Sequence, residues 1–153
     1  MKLSKNLSLA EVTKSATAIK RGIANEPNQE QIENLKAIAE NIFQPLRDEF
    51  LCPIGVTSGF RSPGLNRAIG GSKTSQHCKG EALDIDADVY GVITNADIYF
   101  FITENLVFDQ CIWEFGDDDN PAWVHVSYRK DGNNRMATLK AFKKNGKTVY
   151  SHI

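Results

Sequence analysis

Cysteine is scarce in this sequence, with three residues in 153, at positions 52, 78 and 111, and no CxxC pair among them. An odd, scattered set argues against both a disulfide framework and a thiolate zinc finger, and leaves buried free thiols as the reading. Long apolar runs are missing too. No stretch approaches the roughly 18 residues of a membrane span. The basic segment Met1 to Val12 also lacks the ~7–15-residue apolar run of a secretory signal, so synthesis as a soluble cytoplasmic protein without membrane contact is expected. Neither charge dominates: 18 basic residues face 19 acidic ones, for a formal net charge of −1. With no basic patch, nucleic acid and anionic lipid are not expected partners.

What is present is ordinary for a globular protein. Apolar residues make up 41% and charged residues 24%, and a chain of this length folds without staples, burying roughly 70% of its unfolded surface. No repeat, linker or low-complexity tract interrupts it, so one domain over 1–153 is expected, acting as a monomer. Ser8 with Glu11 forms a capping-box pattern that opens a short helix, and the Asn25–Asn28 turn precedes a longer helix from near Gln29. In that helix Ile32, Leu35, Ile38, Ala39, Ile42 and Leu46 share one face, and Pro45 should bend or end it. A short β-like run, Ile54 to Phe60, leads into a helix capped by Ser62-Pro63 and stopped by Gly70-Gly71.

Ala82 to Asp88 alternates apolar and acidic residues, which on a strand sets Asp84, Asp86 and Asp88 on one face and Leu83 and Ile85 on the other. Thr94 to Asn105 reads as a helix with Thr94 as its cap and Asp97 in its first turn. Strand-like runs follow at Gln110–Phe115, Trp123–Tyr128, Arg135–Phe142 and Lys147–Ile153, the last two joined by the hairpin signal Asn145-Gly146. Helices first and antiparallel strands last predict an α+β domain, with N-terminal helices packed on a small antiparallel sheet.

Only three histidines exist, and two have unusual settings. His77 follows the polar loop Gly70–Gln76, and His125 lies inside the strand Trp123–Ser127, whereas His152 beside the C-terminus lacks such context. Asp84 comes seven residues after His77 on the acid-lined strand. Two imidazoles and a carboxylate with an open fourth position form a catalytic zinc arrangement. The alternative on spacing alone is a packed, hydrogen-bonded strand histidine and solvated aspartates.

Three separated motifs bear on this choice. Ser58-Gly-Phe-Arg-Ser-Pro63, then Ser75-Gln-His-Cys-Lys-Gly-Glu-Ala-Leu-Asp-Ile85, then Trp123-Val-His-Val-Ser127 together resemble the motif set of the M15 zinc D,D-peptidases, in their phage endolysin-like branch. The resemblance implies the hedgehog/D,D-peptidase fold. It also implies one zinc held by His77, Asp84 and His125, with Asp86 as the second candidate for the carboxylate ligand. A thiol at Cys78, adjacent to His77, is poorly placed to join them.

A general base is needed as well. Many members of that family carry an acid three positions before the last histidine, where this sequence has Ala122. If Gln110–Phe115 pairs with Trp123–Tyr128, one register sets Glu114 opposite His125, about 4.5–5.5 Å away. Glu114 is therefore the expected base, with Asp117, Asp118 and Asp119 as alternatives. Arg61 is expected to grip a substrate carboxylate or steady an oxyanion, Ser75 to orient the site, and Trp123 and Tyr128 to line the cleft. The implied function is hydrolysis of peptidoglycan stem peptides, by D-Ala-D-Ala carboxypeptidase or L-Ala-D-Glu endopeptidase action after release to the cell wall. A zinc-stabilised binding module without catalysis is the alternative.

Overall fold

The computed structural model describes all residues from Met1 to Ile153. The chain begins with a small hairpin, β1 (Lys2–Ser4) and β2 (Leu7–Ser8), whose Leu3 and Leu7 are buried. Nothing in so short a pattern announced it. Helices α1 (Leu9–Thr13) and α2 (Ala16–Arg21) follow, the first opened by the expected Ser8–Glu11 capping box. Asn28 caps α3 (Gln29–Ile38) and exchanges hydrogen bonds with Gln31.

Pro45 does not end the helical run. A π turn at Ala39–Phe43 comes directly before α4 (Gln44–Phe50), which puts the proline in a first turn where its missing N–H is not needed. Strand β3 (Gly55–Ser58), helix α5 (Pro63–Ala68) under its Ser62 cap, and a 3₁₀ turn at Gln76–Lys79 lead to β4 (Ala82–Asp86). Helix α6 (Asn95–Asn105) carries the Thr94–Asp97 capping box. The chain closes with β5 (Gln110–Glu114), β6 (Trp123–Ser127), β7 (Ala137–Lys144) and β8 (Lys147–His152).

The main sheet has six strands in the order β3-β4-β6-β5-β7-β8. The fold class is α+β as expected, but the sheet is not purely antiparallel, because β7 runs parallel to β5. The reason is that β6 already occupies one side of β5. Arg135 donates to Asp109 and Ala137 donates to its carbonyl, so the returning chain starts β7 beside the start of β5. The Asn145-Gly146 turn, with both residues at positive φ, then joins β7 to β8 as the sequence signal predicts.

The alternation of the strands divides the sheet into two unlike faces. One carries Leu83, Ile85, Val124, Val126, Cys111 and Trp113, which pack with helical residues such as Leu35, Ile38, Ile42 and Ile98 into a cluster of 22 buried residues. The other face holds only Ile112, Leu139 and Ala141 as a small apolar floor. Its remaining positions are polar or aromatic and border a groove. No helix is long and apolar enough to cross a membrane.

Candidate metal centre and its cleft

Two adjacent strands and one turn bring the three candidate ligands together. Asp84 on β4 stands directly opposite His125 on β6, so both side chains rise from the open face. His77 enters from the 3₁₀ turn, where Ser75 caps the turn by accepting from the His77 N–H at 3.3 Å. The Arg61 N–H also donates to the His77 carbonyl at 3.1 Å.

The His77 ring is orientated from behind, because its Nδ1 lies 2.6 Å from the Gly59 carbonyl oxygen and must be the protonated nitrogen. Gly59 fits there for want of a side chain. A Cβ at that position would stand 2.5 Å from the Val12 carbonyl oxygen.

With Nδ1 protonated, His77 Nε2 presents a lone pair. It is buried and makes no hydrogen bond, although Asp84 Oδ1 is 3.3 Å away. That pair is a contact between two acceptors, not an ion pair, because burial, opposed by the Asp84 charge, lowers the His77 pKa and keeps the ring neutral. His125 Nδ1 approaches the same Asp84 oxygen at 3.0 Å. Burial alone would raise the Asp84 carboxyl, but hydrogen bonding to the His125 ring opposes it, and the group lies below the usual carboxylate range.

The three ligand atoms all lie within 4.8 Å of one another and form a cluster that can hold a metal ion. In a tetrahedral zinc site with bonds near 2.1 Å, neighbouring ligand atoms sit about 3.4 Å apart. A buried lone pair 3.3 Å from a carboxylate oxygen has that spacing, so the residues fit such an ion.

Around this cluster the structure places the other expected residues unevenly. Glu114 pairs with Trp123, and it is Ile112 that stands opposite His125. The expected register is therefore off by two residues. Glu114 still shares the open face and lies diagonal to His125, within reach of a long side chain. It is only 7% exposed, and burial, eased by His125 and reinforced by Asp84, pushes its carboxyl up to about 7.

Arg61 lines the cleft beside Asp84, with Nη2 at 3.6 Å from Oδ2, while Nε donates to Ser58 Oγ and Nη1 to Asn66 Oδ1. Trp123 lines the cleft as well, its ring 5.3 Å from that of Phe115. Tyr128 does not. Strand alternation turns it to the opposite face, where it packs against the main core. Asp86 also stays apart, accepting from Asn95 Nδ2 at 3.0 Å. Asp117 Oδ1 accepts from the N–H groups of Asp119 and Asn120, as a solvated turn does. Asp118 pairs with Lys140. The three cysteines are free, but Cys78 is half-buried where burial was expected.

The sequence reading missed Asn66, a buried amide on α5 that grips the loop before His77. Its Nδ2 donates to the Ser72 carbonyl at 2.8 Å, and its Oδ1 accepts from Arg61. Gly71 makes room for it, since a Cβ there would stand 2.0 Å from Asn66 Oδ1 and 3.1 Å from Arg61 Nη1. Gly71→Ala is expected to cost about 2 kcal/mol by overpacking and to loosen Arg61 from Asp84. Urea melts would read the first effect. Unchanged stability would mean that the loop moves aside freely.

Fold and site together define a class: an α+β protein with a His-Asp-His metal-ligand cluster and a buried acid on the open face of its sheet. The sequence profile of Peptidase M15 matches residues 5–127, and the chain belongs to this peptidase family. No curated protein matches the chain. The matched segment contains the cluster, Arg61, Glu114 and Trp123, and stops short of β7 and β8.

Proposed function

We propose that this chain is a zinc-dependent peptidase acting on the stem peptides of bacterial peptidoglycan, as a D-Ala-D-Ala carboxypeptidase or an L-Ala-D-Glu endopeptidase of the endolysin type. The observation that carries the reading is the buried lone pair of His77 Nε2, unpartnered and aimed at the Asp84 carboxylate beside His125. Without a cation that arrangement leaves a buried acceptor unsatisfied, at a cost of about 1–3 kcal/mol.

The metal-holding residues would be His77, Asp84 and His125. A zinc ion there would polarise a peptide carbonyl and make a neighbouring water easier to deprotonate. Glu114, with a carboxyl pushed up to about 7, takes the proton from the attacking water and returns it to the leaving amine. Of the five N–H groups of a guanidinium, Arg61 commits two, to Ser58 and Asn66, and its charge lies 3.6 Å from Asp84. Three remain to meet a substrate carboxylate or the carbonyl oxygen as it gains charge. The cleft, about 1400 Å³, exceeds the roughly 300–1,000 Å³ of small-molecule pockets and suits a peptide of several residues.

Purified protein incubated with muropeptides is expected to yield new fragments by mass spectrometry, either through loss of a terminal D-Ala or through a break after L-Ala. An all-L peptide of equal length should resist. Muropeptides left intact by folded, zinc-loaded protein would refute the peptidase reading and favour a zinc-stabilised binding module.

A further inference from the structure

Strands β7 and β8 lie beyond the family-matched segment, yet they build one wall of the cleft. The Asn145-Gly146 turn fixes their register, with Lys144 opposite Lys147 and Ala141 opposite Tyr150. Since Glu114 on β5 pairs with Ala141 on β7, Tyr150, Ala141, Glu114 and Trp123 form one row across the open face. Side chains in such a row point to the same side. Ala141 is fully buried and has no bulk beyond its Cβ, so nothing in the row stands between the phenol and Glu114.

Tyr150 lines the cleft, and its hydroxyl makes no hydrogen bond within the protein. Arg61 supplies donors on the β3–β4 side of the metal cluster, whereas Glu114 and Asp84, when ionised, offer only acceptors. A peptide chain lying across the groove presents carbonyl oxygens to both walls. On the β8 side, Lys143 and Thr148 bond to each other, and Tyr150, in the Glu114 row, is placed to satisfy one.

We propose that Tyr150 is a substrate-binding residue whose hydroxyl donates to a backbone carbonyl of the bound peptide beside Glu114. The inference rests on the peptidase reading and adds to it a recognition group from the C-terminal hairpin. The phenol is suited to the donor role, since partial burial, with the Glu114 and Asp84 charges behind it, raises its pKa and keeps the proton in place.

Tyr150→Phe removes one oxygen and keeps the ring. Zinc content and thermal midpoint should match the parent protein, while KM for the cleaved stem peptide rises about ten-fold, the order of one net hydrogen bond, with kcat within about two-fold. By calorimetry, the Kd of a phosphinate analogue of the same peptide should rise by a similar factor. Parent-like KM and Kd in Tyr150→Phe would overturn this inference alone, provided the parent cleaves. A fall confined to kcat with unchanged Kd would also overturn it. A parent that neither cleaves stem peptides nor binds the phosphinate would overturn the inference and the peptidase reading together.

Discussion

Asp84→Asn and His77→Ala are each expected to strip most of the bound zinc and to reduce turnover by more than the roughly 10–100-fold lost when an outer partner of a metal ligand is removed. The expectation comes from the geometry around one oxygen. Asp84 Oδ1 lies 3.3 Å from His77 Nε2 and 3.0 Å from His125 Nδ1, so it is the common vertex of the cluster. Replacing it with an amide removes the negative charge and, in one orientation, lets an N–H group take up the His77 lone pair meant for the metal.

His77→Ala removes a ring that is 3% exposed and leaves the Gly59 carbonyl without its donor, so folding must be checked by circular dichroism alongside elemental analysis. Asp86→Ala is the contrasting variant, because Asp86 is engaged by Asn95 and by the N–H of Asp88. Near-normal zinc is expected in it. Zinc retained by Asp84→Asn but lost in Asp86→Ala would transfer the ligand role to Asp86.

Glu114→Gln should separate proton transfer from metal holding. Zinc content is expected to stay near normal while turnover falls on the order of 10²-fold or more, the usual worth of general acid–base catalysis. The raised carboxyl adds a second signature, in the metal-free protein. The group ionises near 4.5 when unperturbed and near 7 in the fold. The native state therefore binds more protons than the unfolded chain across that interval, and stability falls as pH rises through it. The full shift would be worth about 3 kcal/mol. Glu114→Gln, with nothing to ionise, should lose less stability than the parent between pH 5 and pH 8 in urea melts. Parallel pH profiles combined with undiminished turnover would remove Glu114 from the site, and Asp117, Asp118 and Asp119 would then be tested singly.

Much of this site was legible because its signals are local. Alternation along Ala82–Asp86 set Asp84 opposite in facing to Leu83 and Ile85, and the caps at Ser8, Ser62 and Thr94, with the turn before Gln29, marked helix starts where the structure has them. The three motifs placed His77, Asp84 and His125 in one family pattern, and the structure brings those residues together.

What escaped was pairing at a distance. The Glu114 register depends on the β5–β6 turn, where Phe115 and Gly116 both adopt positive φ, and no two-residue turn signal announces it. Tyr128 was placed in the cleft on residue type alone, although strand alternation from His125 already turned it to the other face. Tyr150 could be registered against Ala141 from the Asn-Gly turn. Its closeness to Glu114 needed the parallel docking of β7 on β5, which alternation in a single strand cannot reveal. Asn66 is a different case, since a lone asparagine on a short helix carries no mark of the loop it holds.

The unequal faces of the sheet bear on how such a protein can diversify. Cohesion resides in the 22-residue cluster beneath the sheet, whereas the cleft is lined by side chains on the upper surface, among them Lys143, Thr148 and Tyr150. Exposed positions away from core packing usually tolerate exchange within about 0.5 kcal/mol. Substrate preference can thus drift at the C-terminal hairpin while foldability is inherited almost intact, and the two properties are open to separate selection.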